Sequence, residues 1–270
     1  MSYHAAFHHK ITSHAEEVPI VPVVDAHLHF VDFIQESDGI QRLVAAMDAG
    51  RISKAVLFGL PVKKKWDKYA FWRGIGEVLC RHDDLTNMTN EETARVNHLA
   101  LCDVYELCAS RSLPVLIHQN STSVSIHDDY EHLDELEEVL LRFPKTTFVW
   151  AHCGISRRVY HKNYHEMVST LLGRNPHLYV DISWIVYDDV ISSELEPKKH
   201  WLETISRHAD RFCLGSDLCG HFEHLGKSLA RYNGLLRRLT PRTRNLVASG
   251  NPERIWFGRG ARRSGARPRP

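Results

Sequence analysis

Seven short apolar runs alternate along the chain with segments of helical period, and this alternation constrains the fold more than any other feature. The pattern is typical of parallel strands joined by helices. A chain of 270 residues with 43% hydrophobic content can bury one large core, and α/β barrels of this length form a single domain. We therefore predict an α/β fold of the TIM-like barrel type, with strands at residues 21–30, 54–61, 74–80, 114–120, 147–154, 178–183 and 211–218.

The segments between these runs carry helix signals. The segment from Ile40 has one apolar stripe and stops at Gly50, which predicts a helix with a glycine C-cap. Thr89 and Glu92 have capping-box spacing ahead of a long helical segment that ends near residue 110. Further helices are predicted at 133–143, 161–172, 197–209, 222–239 and 241–249.

One connection between predicted strands is unusually short. Only twelve residues separate Pro61 from Gly74, whereas a crossover between parallel strands needs about a dozen or more residues and usually a helix. The chain therefore has no room for another strand between the second and third apolar runs.

Charge is unevenly distributed along the chain. The net charge is +1, but residues 259–270 hold five arginines and no acid, which leaves 29 basic against 33 acidic residues elsewhere. A body of this charge does not predict nucleic-acid binding. We divide the chain into a polar leader at 1–19, a barrel domain at 20–258 and an Arg-rich flexible tail at 259–270.

The sequence lacks a secretory or membrane signal. The leader has no uninterrupted apolar region, and no apolar run approaches the roughly 18 residues needed to cross a bilayer. Six cysteines include no Cys-x-x-Cys pair, which predicts reduced and mostly buried thiols. We expect a cytoplasmic protein without a membrane partner.

A His-x-His pair closes the first apolar run. Residues two apart in a strand face the same side, so His27 and His29 point in the same direction. The pair alone is a weak signal, but its position at a strand end strengthens it. Asp25, just before the pair, is a candidate for a buried hydrogen-bond partner or a ligand.

Three further polar residues close later apolar runs: His118, His152 and Asp217. The carboxyl ends of parallel strands line one rim of a barrel, so these residues and the His-x-His pair are expected to meet there. Imidazoles with a carboxylate are ligands of catalytic zinc and, less selectively, of manganese, iron or cobalt. Each histidine alone could be structural and Asp217 could cap a helix, but their joint occurrence predicts a metal site.

The motifs around these residues resemble those of the amidohydrolase superfamily, in particular the amidohydrolase-related branch that includes aminocarboxymuconate semialdehyde decarboxylase. The matching stretches lie within residues 20–258 and are VVDAHLHF, GIGEV, PVLIHQN, FVWAHCG, LGSDL and SGNPERIWFG. The resemblance implies a distorted (β/α)8 barrel with metal ligands on strands one, five, six and eight. It assigns these strands, in that order, to the pair His27 and His29, to His118, to His152 and to Asp217.

The resemblance also indicates a gap. GIGEV resembles strand four and LFGLP resembles strand two. Strand three and its flanking helices are therefore expected to be missing, which leaves the seven strands read above.

One divalent ion, with zinc favoured over manganese, iron and cobalt, is the implied cofactor, held by His27, His29, His118 and Asp217. Such an ion lowers the pKa of bound water toward about 7. Asp217 would accept the proton of the water and later deliver it to the leaving group, while His152 orients water or polarises the substrate carbonyl.

Glu77 replaces a lysine that the resemblance implies for dinuclear relatives. Those relatives carry a bridging lysine on strand four, and this chain has Glu77 there, which favours one metal ion. We expect Glu77 to hydrogen-bond the residues around the metal, with direct ligation as the alternative.

The substrate is weakly encoded. Arg157 is a candidate for holding a carboxylate in bidentate fashion, and Trp184 and Tyr187 are candidates for a pocket wall, although an ordinary packed loop fits them equally well. We predict hydrolysis of a C–N or C–O bond, as in an amide, lactone or cyclic ester, with a small carboxylate as the substrate. Non-oxidative decarboxylation and an inactive or incomplete barrel that only binds metal stay open, as does a homo-oligomeric state.

Overall fold

Parallel strands form the wall of the fold. The computed structural model describes residues 16–59, 73–82, 86, 95–122, 130–156, 158 and 161–258. The strands of the wall are β1 (Val23–His29), β2 (Ile52–Phe58), β3 (Ile75–Arg81), β4 (Val115–Gln119), β5 (Phe148–Trp150), β6 (Leu178–Asp181) and β9 (Phe212–Cys213). Strands β7 (Ser192–Ser193) and β8 (Glu196–Pro197) form a separate small hairpin between β6 and β9. Each predicted strand is present, although β9 is much shorter than its apolar run.

Helices follow most of the strands and cover the outside of the wall. They are α1 (Ile40–Ala49), α2 (Leu99–Arg111), α3 (Leu133–Arg142), α4 (Tyr164–Arg174), α5 (Lys199–Arg207), α6 (Leu225–Ala230), α7 (Asn233–Arg238) and α8 (Pro241–Asn245). No helix in the part of the chain that the structure describes has the length and apolarity to cross a membrane.

Hydrogen bonds order the strands around one core. β1 pairs with β2, and β3, β4, β5, β6 and β9 pair in that order, all in parallel. The amide of Ala26 donates to the carbonyl of Leu214 at 2.9 Å, and the amide of His29 donates to that of Leu218 at 2.8 Å, which joins β1 to the segment after β9. The resulting order is β2-β1-β9-β6-β5-β4-β3, and the predicted α/β, TIM-like fold is confirmed.

Among the described residues, the wall is not hydrogen-bonded between β2 and β3. Phe58 of β2 lies close to β3, since a Cβ added at Gly76 would be 3.2 Å from its ring, and Trp256 packs against Phe58 with ring centroids 5.7 Å apart. Leu79 of β3 is 37% exposed, whereas all of β4 is buried. This interruption in the hydrogen bonding lies where the sequence predicts a missing strand; the loss of a segment stays a prediction, and residues 60–72 lie outside the description.

The helices bury apolar faces against the wall. In α3, Leu136, Val139 and Leu140 are at most 1% exposed and lie on one face at helical spacing. Burying each such side chain stabilises the fold by about 1.5–3 kcal/mol. In α1 only part of the predicted stripe is covered, because Leu43 is buried while Val44 stays 48% exposed.

The start of α2 differs from the prediction. Residues 95–98 form a turn, and the helix begins at Leu99 because the ring of His98 accepts a hydrogen bond from the amide of Ala100 at 3.2 Å. The predicted capping box of Thr89 and Glu92 lies outside the described residues.

The predicted helix at 222–239 is two helices, α6 and α7. They are separated at Arg231, whose side chain donates back to the carbonyl of Ser228 at 2.8 Å and across to the carbonyl of Trp184 at 2.9 Å. The segment predicted as a helix at 241–249 is helical throughout, because α8 continues beyond Asn245 into a wider π-helical turn over Leu246–Gly250.

Candidate metal centre

Imidazoles and carboxylates from the strands and from the turns that follow them converge on one cluster. They are His27 and His29 at the end of β1, Glu77 on β3, His118 on β4, His152 after β5, Asp181 on β6 and Asp217 after β9. Atoms within 4.8 Å of one another form the groups His27, His29 and Asp217; His27, His152 and Asp181; and Glu77, His118 and His152. The predicted ligands therefore meet, but His118 groups with Glu77 and His152 rather than with the other three.

The first group has the tightest geometry around a common point. The Nε2 atoms of His27 and His29 are 3.2 Å apart. Oδ1 of Asp217 lies 3.4 Å from the first and 3.3 Å from the second. Two imidazole nitrogens and a carboxylate oxygen at these separations can share one cation.

Glu77 lies between the first and third groups. Its Oε1 atom is 2.8 Å from Nδ1 of His118, and its Oε2 atom is 3.4 Å from Nε2 of His29 and 3.7 Å from Nε2 of His27. Nε2 of His118 is buried and has no hydrogen-bond partner among the described residues. Glu77 thus contacts the predicted ligands directly, in the position that the sequence offered for either a hydrogen-bond partner or a ligand.

Asp25 braces the backbone of the cluster and contacts none of its rings. Its Oδ1 atom accepts hydrogen bonds from the amides of His27 at 3.1 Å and Ser216 at 2.9 Å, and its Oδ2 atom accepts one from the Ser216 hydroxyl at 2.6 Å. Complete burial raises the pKa of Asp25 to about 6. The structure therefore places Asp25 as the hydrogen-bond partner that ties β1 to the segment before Asp217.

Carboxylates around β1 attract positive charge to the first group. Burial disfavours protonation of His29, but its hydrogen bonds to Asp217 and Glu77 raise its pKa to about 9. Burial also opposes protonation of His27, yet the surrounding carboxylates hold its pKa well above the ordinary value. The position between these rings thus favours a cation, either as protons or as a metal ion.

His152 has the opposite electrostatic balance. Burial lowers its pKa despite the nearby carboxylates of Asp217 and Asp181, so the ring is neutral at pH 7. A neutral ring keeps one nitrogen that can accept a hydrogen bond and one that can donate.

A left-handed turn places His152 at the rim. The φ angles of His152, Cys153 and Gly154 are 56°, 55° and 64°, and Asp217 has φ 55°. Such a conformation costs a residue other than glycine on the order of 1–3 kcal/mol, and strain of this kind is found at functional sites. The structure places two predicted catalytic residues, His152 and Asp217, on such backbone.

We expect Gly154→Ala to destabilise the fold. A Cβ at this position would lie 1.9 Å from the ring of Trp150, on backbone that already disfavours side chains. The free energy of unfolding should fall by about 1–3 kcal/mol, measured by urea unfolding. The control is Gly173→Ala in α4, where nothing lies within 4 Å of the added Cβ and a gain of about 0.4–1 kcal/mol is expected. Equal effects of the two changes would show that the turn is not constrained.

A cavity of about 560 Å³ opens onto the cluster. Its walls include Val31, Phe33, Ile34, Leu79, Trp184 and Leu218. A substrate-binding role for Trp184 and Tyr187 stays a prediction; Trp184 lies in the cavity wall, whereas Tyr187 does not. Its loop coils into a wide helical turn that buries the Tyr187 ring completely against Tyr232, with centroids 4.6 Å apart, away from the cavity. Arg157 lies outside the described residues.

Asp181 and Ser183 are the residues that sequence reasoning missed. Asp181 is completely buried and contacts Nδ1 of His27 at 3.2 Å, while the Ser183 hydroxyl lies 2.9 Å from Nδ1 of His152. Burial opposes ionisation of Asp181, but the charge of His27 outweighs it and lowers the pKa of Asp181 to about 2. A usable signal existed, because Asp181 closes the run LYVDIS as His118 closes its own.

Comparisons with known proteins agree with this architecture. An amidohydrolase of Burkholderia multivorans with bound zinc is 11% identical, with 87% of this chain and 99% of that chain covered and a TM-score of 0.56. The dihydroorotase of Campylobacter jejuni is 16% identical, with 88% of this chain and 84% of that chain covered and a TM-score of 0.54. An uncharacterised TIM-barrel protein of Bordetella bronchiseptica is 18% identical, with 60% of this chain and 52% of that chain covered and a TM-score of 0.44, so the chain spans about half its length.

Sequence comparison gives the family. No curated protein matches the chain significantly. The family profile described as amidohydrolase matches residues 76–258, from the start of β3 to the end of the last helical turn, which is more than half of the chain. On that match the chain belongs to the amidohydrolase family.

Proposed function

We propose that this protein is a metal-dependent hydrolase that cleaves a C–N or C–O bond, as in an amide, lactone or cyclic ester of a small organic acid. One observation carries the proposal: His27, His29 and Asp217 place two imidazole nitrogens and a carboxylate oxygen within 3.4 Å of one another, and the last two of these residues line the cavity. Family membership supports the hydrolase class, and the choice of bond and substrate is our inference.

The residues at this position fit a divalent ion. Nitrogen and carboxylate oxygen donors suit zinc, and also manganese, iron or cobalt. The buried Nε2 atom of His118, which lacks a hydrogen-bond partner among the described residues, is the kind of atom that an ion satisfies. We propose one ion, zinc, held by His27, His29 and Asp217, with Glu77, 3.4 Å from Nε2 of His29, and His118, which contacts Glu77, as candidates for a further ligand.

The residues around the cavity support water-dependent cleavage. A bound divalent ion supplies polarisation of a carbonyl and lowers the pKa of water toward about 7. Asp217, whose pKa lies below its ordinary value because the charge of His27 outweighs burial, is an ionised base whose side chain is 13% exposed. It takes the proton of the attacking water and returns it to the leaving group. His152 lies 3.8 Å from Oδ2 of Asp217 and orients the water.

The cavity favours a compact substrate. Its volume is typical of small-molecule sites, and the ring of Trp184 offers a flat wall for a planar or cyclic group. Among the described lining residues none is lysine or arginine. The prediction that the substrate carries a carboxylate therefore depends on Arg157. It stays a prediction, as does a homo-oligomeric state.

Metal analysis with an activity assay tests this function. Purified protein is analysed for metals, stripped with a chelator and reloaded with zinc, and is assayed with p-nitrophenyl acetate and a panel of small lactones and amides. We expect about one zinc per chain and hydrolysis that is lost on stripping and restored on reloading. A folded sample that binds no metal would contradict the proposal. Carbon dioxide release without water uptake would instead indicate decarboxylation.

Zinc affinity is expected to rise with pH. The ring of His29 has a pKa of about 9 without metal, so a proton occupies it at neutral pH and must leave when zinc binds. Lowering the pH strengthens this competition, and raising it relieves the competition up to about pH 9. Competition with a chelator of known proton affinity, from pH 6 to pH 9, measures the slope. An affinity independent of pH would show that His29 is not a ligand.

A further inference from the structure

Asp181 contacts two histidines of the cluster, His27 through its Nδ1 atom and His152 through its backbone amide. Its Oδ2 atom lies 3.2 Å from Nδ1 of His27. Its Oδ1 atom accepts hydrogen bonds from the amide of His152 at 3.2 Å and from the amide of Ser183 at 3.0 Å. The hydroxyl of Ser183 also donates to Oδ1 of Asp181. Both side chains are completely buried, so water does not compete for these bonds.

The protons in this arrangement have one consistent placement. An ionised carboxylate only accepts, so the single hydroxyl proton of Ser183 goes to Asp181. The oxygen of Ser183 then faces Nδ1 of His152 at 2.9 Å with lone pairs alone, and the shared proton must belong to the ring. The same reasoning places a proton on Nδ1 of His27, because its partner there is also the carboxylate.

We propose that Asp181 and Ser183 form a positioning pair that keeps the Nδ1 atoms of His27 and His152 protonated and so turns both Nε2 atoms toward the cluster. Nε2 of His27 lies 3.4 Å from Oδ1 of Asp217, and Nε2 of His152 lies 3.8 Å from Oδ2 of the same residue. The role of these Nε2 atoms rests on the proposed function.

This placement decides between two roles for His152. A ring protonated on Nδ1 presents a lone pair at Nε2, so it accepts a hydrogen bond there and cannot donate one. His152 therefore orients a water molecule by accepting a hydrogen bond from it at Nε2, and does not polarise a substrate carbonyl. Ser183 sets this property for His152, and Asp181 sets it for both rings.

Nitrogen-15 NMR tests the proton placement directly. Histidine is labelled with nitrogen-15, and long-range proton correlations show which ring nitrogen carries hydrogen; His27→Gln and His152→Gln identify the signals. In metal-free protein at pH 8 we expect His152 to be protonated on Nδ1. Ser183→Ala is expected to shift this proton toward Nε2, and Asp181→Asn to alter the signals of both rings.

Zinc affinity supplies a second readout. Asp181→Asn is expected to weaken zinc binding about 10–100-fold, as is typical when the hydrogen-bond partner of a ligating histidine is changed. Ser183→Ala is expected to change zinc affinity far less, because His152 lies outside the group of His27, His29 and Asp217. The control is Ser121→Ala, another completely buried serine after a strand, whose hydroxyl lies 2.7 Å from that of Tyr164 and contacts no imidazole of the described residues. It should leave both readouts unchanged.

The outcomes separate this inference from the proposed function. If His152 carries its proton on Nε2 in the wild type, or keeps it on Nδ1 in Ser183→Ala, the positioning pair is refuted even when zinc binds. If the wild type binds no zinc yet shows the expected shift in Ser183→Ala, the positioning pair holds and the metal-dependent function fails. Thermal unfolding verifies that each variant is folded. If Asp181→Asn does not fold, the result for Ser183→Ala alone tests the positioning pair.

Discussion

Asp217→Asn is expected to lower kcat for hydrolysis by about 10²–10⁴-fold, the usual contribution of a general base. Asparagine has the same shape and keeps an oxygen that can accept, but its amide cannot take a proton from water. The side chain of Asp217 reaches the cavity and lies 3.3 Å from Nε2 of His29, so the change should also weaken zinc binding. The assay is therefore run at saturating zinc, with p-nitrophenyl acetate or the best lactone of the panel.

A matched substitution separates this effect from loss of charge alone. Asp103→Asn removes an exposed carboxylate from α2, and activity should stay at the wild-type level. Should Asp217→Asn retain more than a tenth of the wild-type kcat with zinc bound, the base lies elsewhere, and Glu77 becomes the next candidate because it contacts the same two rings of β1.

Arg231→Met is expected to lower the free energy of unfolding by about 3–5 kcal/mol, because it breaks a buried ion pair. The side chain of Arg231 is 1% exposed and lies 3.2 Å from Oδ2 of Asp188, which is itself 11% exposed. It also donates to the carbonyls of Trp184 and Ser228. Methionine fills similar space but leaves the charge of Asp188 without this guanidinium. Urea unfolding followed by circular dichroism measures the change.

The same substitution at an exposed arginine is the control. Arg238 pairs with Glu196 at 2.7 Å, but both side chains are more than half exposed. Arg238→Met should therefore cost only about 0–1 kcal/mol. Similar losses at both positions would mean that burial does not determine the strength of the Arg231 pair.

The strand ends of this fold were predictable because side chains that can bind a metal follow apolar runs or share one face of a strand. His27 and His29 share a face through the two-residue repeat of β1, and His118, His152 and Asp217 each follow a run apolar enough to be a buried strand. The apolar run that predicted a long last strand pairs with β6 only at Phe212–Cys213. The residues after Cys213 form hydrogen bonds with β1 instead. The sequence could not show this change of partner.

Other features of the site depend on conformations that periodicity does not encode. The residue types of His152 and Cys153 did not predict a left-handed backbone, since positive φ is uncommon for residues other than glycine. The resemblance placed Glu77 on a strand but gave no distances, and the structure puts it between two groups of the cluster. Tyr187 was assigned to a loop, and the loop coils into a turn that buries it.

The joining of β1 to the segment after β9 constrains how this protein is made. Asp25 and the amide of Ser216, 191 positions apart, are bonded at 2.9 Å. Closing so long a loop costs conformational entropy, and contacts between residues so far apart in sequence form slowly. During synthesis, a nascent chain that stops before Asp217 has the imidazoles of β1 but lacks both this carboxylate and the segment after β9 that bonds to β1. The ability to trap a cation with His27, His29 and Asp217 thus arises only once most of the polypeptide has left the ribosome.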